Sequence, residues 1–189
     1  MVDMAEYHLM ALEGNPDDVA LKMVESLTAR ATLSPEMLFQ VGRTCDEWAA
    51  VKPLGKLVKI WSGLDKLKDS PQFCLVASRF YMMVQDATKQ RNYMAMACHA
   101  DPFRGEYHIG LAEFLFDTKD YKRSYDFWKL AIDAAWTDKK YCKARLAEVL
   151  VLLRKKAEAD QLLKEILKDA PDHEVALAIK QKYFGQNAA

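Results

Sequence analysis

Cys45, Cys74, Cys98 and Cys142 are the side chains best suited to bind a soft metal or to trade electrons, so their spacing decides whether such chemistry is available. They lie 29, 24 and 44 residues apart. That leaves neither the paired spacing of a zinc site nor a Cys-x-x-Cys dithiol, and it marks all four as small buried apolar residues. His8, His99, His108 and His173 are equally scattered, none standing three to five residues from another histidine or a cysteine. The carboxylates of "EGNPDD" and "DAPDHE" sit where helices should begin, and there acids favour the positive end of the helix dipole, so capping explains them better than acid–base catalysis. No Gly-rich phosphate loop, Gly-x-Ser-x-Gly elbow or His-Glu-x-x-His run occurs. The residues therefore predict a protein that is not an enzyme and has no metal or cofactor.

Aromatic side chains interleaved with basic ones, as in "YKRSYDFWK", could stack single-stranded nucleic acid. Helical offsets instead put Tyr121, Ser124, Trp128 and Ala131 along one core stripe and leave Lys122, Arg123, Asp126 and Lys129 outward. Lysine plus arginine and aspartate plus glutamate both total 27, so no net field would draw in nucleic acid or an anionic membrane. The run Arg154, Lys155, Lys156 reads as a solvated helix end. "LAEVLVLLRKK" is too short to span a bilayer, and the first residues lack a cationic segment followed by a long apolar one. The expectation is a cytoplasmic protein with no nucleic-acid partner and no membrane insertion.

The elements that must hold these side chains are helices. Apolar residues recur at offsets of three and four over 3–13, 17–31, 35–49, 54–66, 71–85, 88–100, 104–117, 120–134, 139–153, 156–168 and 173–184, with no convincing alternating strand. Asn15-Pro16, Ser34-Pro35, Ser70-Pro71 and Asp101-Pro102 fit a capping residue followed by proline in the first turn. Pro53 is assigned to a linker after "CDEWAAVK".

Taking Pro35, Pro71, Gly105 and Lys140 as equivalent starts gives steps of 36, 34 and 35 residues, the period of a helix-turn-helix repeat. The copy at 101–132 is the clearest, with Leu111, Ala112 and Leu115 inward on its first helix and Ser124, Trp128 and Ala131 inward on its second. Leu146, Ala147, Leu150, Ala159, Leu163 and Ile166 repeat that logic. The earlier copies are looser. One uses Val41, Gly42, Cys45, Leu54, Val58 and Trp61, the other Ala77, Ser78, Tyr81, Met94 and Ala97. Gln90 stands where a small residue is expected, which predicts a distorted turn.

On these residues the segment 35–172 resembles four tetratricopeptide (TPR) repeats, through its pattern of Leu-Ala, then Asp-Tyr, then small-x-x-x-aromatic-x-x-Ala. The resemblance implies an all-α, right-handed solenoid occupying the whole chain. Residues 1–31 would form an atypical N-terminal helix pair, and 173–189 a capping helix and tail. The stretch with Pro102, Arg104, Glu106 and Leu111-Ala112, and "EGNPDD" upstream, is also similar to the TPR-like tails behind some family 2 glycosyltransferase domains. No Asp-x-Asp motif or strand–helix alternation is present to supply the transferase itself.

The TPR resemblance implies a non-enzymatic scaffold whose first helices line a concave face and bind a protein or peptide. By periodicity the lining residues are Phe39 and Arg43, then Leu75, Arg79 and Met82, then Ile109, Glu113 and Phe116, then Ala144, Glu148 and Val151. Arginine marks the earlier two copies and glutamate the later two, which suits an extended or helical segment with apolar contacts and an acidic group toward the arginines. Two alternatives stand beside this: ordinary half-exposed residues covered by flanking helices, or a face filled by the protein's own tail. The Lys and Asn of a carboxylate-clamp co-chaperone are missing from these places. An accessory glycosyltransferase module, a secretion or assembly chaperone, and a homodimer or larger assembly are the other expectations, the last resting on the Met-rich first helix.

Overall fold

The computed structural model describes residues 4–30, 33–134 and 137–185. Eleven α-helices occur among them: α1 Met4–Glu13, α2 Pro16–Thr28, α3 Pro35–Glu47, α4 Val51–Ser62, α5 Pro71–Met83, α6 Ala87–Ala100, α7 Gly105–Asp117, α8 Tyr121–Asp133, α9 Lys139–Leu152, α10 Lys156–Asp169 and α11 Glu174–Phe184. Eleven are also predicted by the apolar periodicity, with ends displaced by a few residues. The helices gather into two compact units, residues 1–101 and 102–189.

Capping explains several helix starts. Ser34 and Ser70 each place Oγ 3.2 Å from a backbone N–H three residues on, with proline next in line. Asp86, Asp120 and Asp138 accept comparable backbone bonds with a carboxylate. Pro53 corrects the sequence reading: it lies in the first turn of α4 and is buried, not in a linker. The first four N–H groups of a helix have no intrahelical acceptor, so proline costs nothing there. Pro102 is corrected the other way. It precedes α7 by three residues, and its carbonyl accepts a 2.8 Å bond from His108 Nε2.

The repeat is written most clearly in backbone conformation. Ala49, Gln85, Lys119 and Arg154 all have positive φ, between 52° and 65°, and follow one another at steps of 36, 34 and 35 residues. Each ends the first helix of a pair with the same two bonds. Its own N–H reaches three residues back, as in Lys119 to Phe116 O (2.9 Å), and the next N–H reaches five back, as in Asp120 to Leu115 O (2.8 Å). That is a Schellman turn, made four times without glycine. The turn before Gln90 has the same bonds as the others, so the predicted distortion is absent. The glutamine side chain is accommodated half-buried at the surface.

In the N-terminal unit, α2 to α5 enclose Leu27, Leu38, Val41, Leu54, Leu57, Trp61 and Phe73, all buried. Small residues set the helix separations. A Cβ on Gly55 would meet the Phe80 ring at 2.8 Å. Tyr81, expected inward, is half-buried and stacks on Tyr93 of α6 with ring centroids 5.4 Å apart. In the C-terminal unit the predicted inward residues of α7 to α10 are buried as expected, except Tyr121, which is half-buried at the edge of the core. Ser124 Oγ donates to Ala112 O at 2.8 Å, joining α7 to α8.

Candidate partner-binding surface

The residues singled out in sequence fall on the first helix of each pair. On α3, Phe39 is half-buried and Arg43 is exposed, its guanidinium 3.1 Å from Glu47 Oε1 one turn on. On α5, Leu75 is buried, Arg79 is half-buried and Met82 is 40% exposed. Arg79 Nε reaches back to Asp46 Oδ2 on α3 at 3.8 Å. Burial raises the Asp46 carboxyl above its ordinary pKa despite the opposing pull of Arg79, so desolvation outweighs this long ion pair.

In the C-terminal unit, Ile109, Glu113 and Phe116 on α7 are half-buried, while Ala144, Glu148 and Val151 on α9 are buried. Glu113 accepts a 2.8 Å bond from the Tyr141 hydroxyl of α9. Burial first, and then that carboxylate, push the Tyr141 phenol up to about 12. Glu148 carries three bonds. Arg145 of its own helix pairs with Oε2, while Lys182 Nζ (3.1 Å) and Tyr183 Oη (3.0 Å) of α11 both donate to Oε1. Hydrogen bonds to Tyr183 and then Glu148 raise the Lys182 ammonium above its usual value.

Arg79, Glu113 and Glu148 thus each bond a neighbouring helix of their own unit. Both carboxylate oxygens of Glu148 are taken up by the chain, and Oε1 of Glu113 accepts from Tyr141. Leu75, Ala144, Glu148 and Val151 are buried. Phe39, Arg43, Arg79 and Met82, on the adjacent helices α3 and α5, keep accessible surface.

Tyr141, Arg145, Lys182 and Tyr183 went unseen in sequence because the repeat spacing picked out one row of equivalent positions, which passes over Tyr141 and Arg145 on the same face of α9 and does not extend to Lys182 and Tyr183 on α11. Arg145 and Glu148 are three residues apart, so that pairing was the available signal. Its guanidinium carbon also stands 4.7 Å from the centre of the Phe116 ring. A cleft of about 420 Å³ in the N-terminal unit was also missed. Phe73, Tyr81, Tyr93 and Met96 supply its apolar wall, and Lys68 and Lys89 stand among its polar residues. Both ammonium groups are paired with neighbouring aspartates. Among the described residues no cluster of three or more His, Cys, Asp or Glu could hold a metal, and no helix is long and apolar enough to cross a membrane.

The paired helices, their common turn and the period near 35 residues define the TPR-type α-solenoid fold. Solved structures agree. A thermophilic TPR protein of Thermus thermophilus, TTC0263, superposes with a TM-score of 0.64 at 16% identity, covering 96% of this chain and 95% of its own. MamA from Desulfovibrio magneticus RS-1 gives 0.65 at 12% identity over 90% and 94% of the two chains. PilF of Pseudomonas aeruginosa gives 0.63 at 15% over 78% and 68%. No protein-family model matches the chain, and no curated protein matches it in sequence.

Proposed function

We propose that this chain is a non-enzymatic interaction scaffold, cytoplasmic in setting, that binds a protein or peptide segment through the α3–α5 face. The observation that carries this reading is Met82, a large apolar side chain 40% exposed on the same helix as Arg79, with Phe39 and Arg43 on the helix beside it. A flexible thioether adapts to a partner's side chains, and each guanidinium, although paired with Glu47 or Asp46, has further N–H donors to offer an acidic group. The later candidates Ile109, Glu113, Phe116, Glu148 and Val151 contribute less in this reading, since Glu113 and Glu148 are bonded within the chain and Val151 is buried.

The test compares capture from host lysate by wild type and by Arg43→Glu/Met82→Ser, which leaves the Arg79–Asp46 pair in place. A partner held by wild type and lost by the variant supports the assignment, and identical capture rejects it. The partner's chemistry then separates a general scaffold from an accessory glycosyltransferase module or a secretion or assembly chaperone.

Self-association is a second reading, supported by Leu9 and Leu12 of α1, which are 63% and 85% exposed. Equal masses by light scattering for wild type and Leu9→Ser/Leu12→Ser reject it.

A further inference from the structure

Among the described residues Glu148 is the one buried carboxylate, and α11 is what covers it. Its side chain is 6% exposed, whereas that of Lys182 is 62% exposed. Arg145 alone satisfies Oε2, while both bonds to Oε1 come from α11. Removing α11 would therefore uncover one carboxylate oxygen and leave the other paired.

Beyond these two bonds, α11 is held by a short apolar stripe. Only Ala176 and Ile179 of this helix are buried, with Val175, Tyr183 and Phe184 packed part-buried against the same core. It is joined to α10 by the short turn at Ala170–His173, and its first turn is capped by His173 Nδ1, which accepts from Ala176 N at 3.2 Å. A helix with two fully buried side chains, tied by an ion pair whose ammonium faces solvent, can open locally while its neighbours stay folded.

We propose that α11 is a releasable strap over the α9–α10 face, and that a partner helix of the same chemistry takes its place. Ala176, Ile179, Lys182 and Tyr183 stand at offsets of zero, three, six and seven, so they share one helical stripe. The fitting partner is an amphipathic helix with a small residue, a branched apolar residue one turn later, and a cation followed by tyrosine at the next turn. Its ammonium and hydroxyl converge on Glu148 Oε1. This surface is separate from the α3–α5 face, and the inference stands whether or not that face binds a partner.

The test is hydrogen exchange on the full chain, as wild type, Lys182→Ala and Glu148→Gln, with and without excess of a synthetic peptide of residues 172–185. In wild type the α11 amides should exchange at least tenfold faster than those of α9 and α10. Lys182→Ala should speed α11 about tenfold more without changing α9 or α10, because only the strap is loosened. The peptide should bind Lys182→Ala more tightly than wild type, since its face is open more often, and should bind Glu148→Gln more weakly than Lys182→Ala, since the charge that pairs its ammonium is gone. Protected α9 and α10 amides show that each variant is folded. Exchange of α11 in step with α9 and α10, or peptide binding that is the same for all three proteins, overturns the proposal.

Discussion

A Cβ placed on Gly42 would stand 2.8 Å from both γ-carbons of Val76, on the next first helix of the same unit. That distance is far inside van der Waals contact, and valine has little rotamer freedom with which to retreat. Gly42→Ala should therefore destabilise the protein by roughly 1–3 kcal/mol, despite the better helix propensity of alanine. Urea unfolding followed by circular dichroism measures this. A stabilised variant would show that α3 and α5 separate at little cost.

The four left-handed turn residues predict gains. At Lys119 (φ 62°) a side chain is strained and glycine is not. Lys119→Gly should stabilise by about 1 kcal/mol, provided the Schellman bonds persist. Lys119→Val should be destabilising. Thermal melts of the two variants, read against wild type, check both signs.

Ala131 is fully buried in α8, while Lys129 is exposed. Ala131→Leu should overpack the core and cost roughly 1–3 kcal/mol, and Lys129→Ala about 0.5 kcal/mol or less. Equal costs would mean that α8 is rotated from the register described.

All four cysteines are buried. Burial foremost pushes the Cys45 and Cys98 thiols up to about 12 and those of Cys74 and Cys142 to about 11. Thiolate is the reactive form, so iodoacetamide at mildly alkaline pH should leave the folded chain unlabelled and modify all four in denaturant. Rapid labelling of the folded chain would contradict this burial.

Asp120 has its carboxyl pKa lowered, first by the Arg123 side-chain bond and then by the Arg123 backbone N–H. A carboxyl depressed in the folded state adds stability above its unfolded pKa, near 3.9, and loses it as pH falls through the lower folded value. Asp120→Asn keeps a capping oxygen but no charge. The melting temperature of wild type should exceed that of the variant at pH 6, and the difference should shrink as pH falls below about 4. A difference constant with pH would remove the charge from the account.

The helices and the repeat were legible in sequence because both follow from local rules. Apolar residues every three or four places demand one buried face, and Ser34-Pro35 and Ser70-Pro71 mark helix starts by satisfying or dispensing with the same N–H groups. The inward positions of Ala112, Ser124, Trp128 and Ala131 followed from the same periodicity. The left-handed turns were not legible, since Ala49, Gln85, Lys119 and Arg154 share no residue type that announces positive φ.

The candidate surface was legible only as a row of positions. Periodicity assigned Arg79, Glu113 and Glu148 to one row of each repeat, but periodicity names no partner. The bonds of Arg79 to Asp46, Glu113 to Tyr141 and Glu148 to Lys182 and Tyr183 join residues 28 to 35 apart. The sequence by itself determined that these charges lie on the first helices. Only the tertiary structure decided which of them are bonded within the chain, because that depends on the separation and rotation of neighbouring helices, set by contacts such as that between Gly42 and Val76.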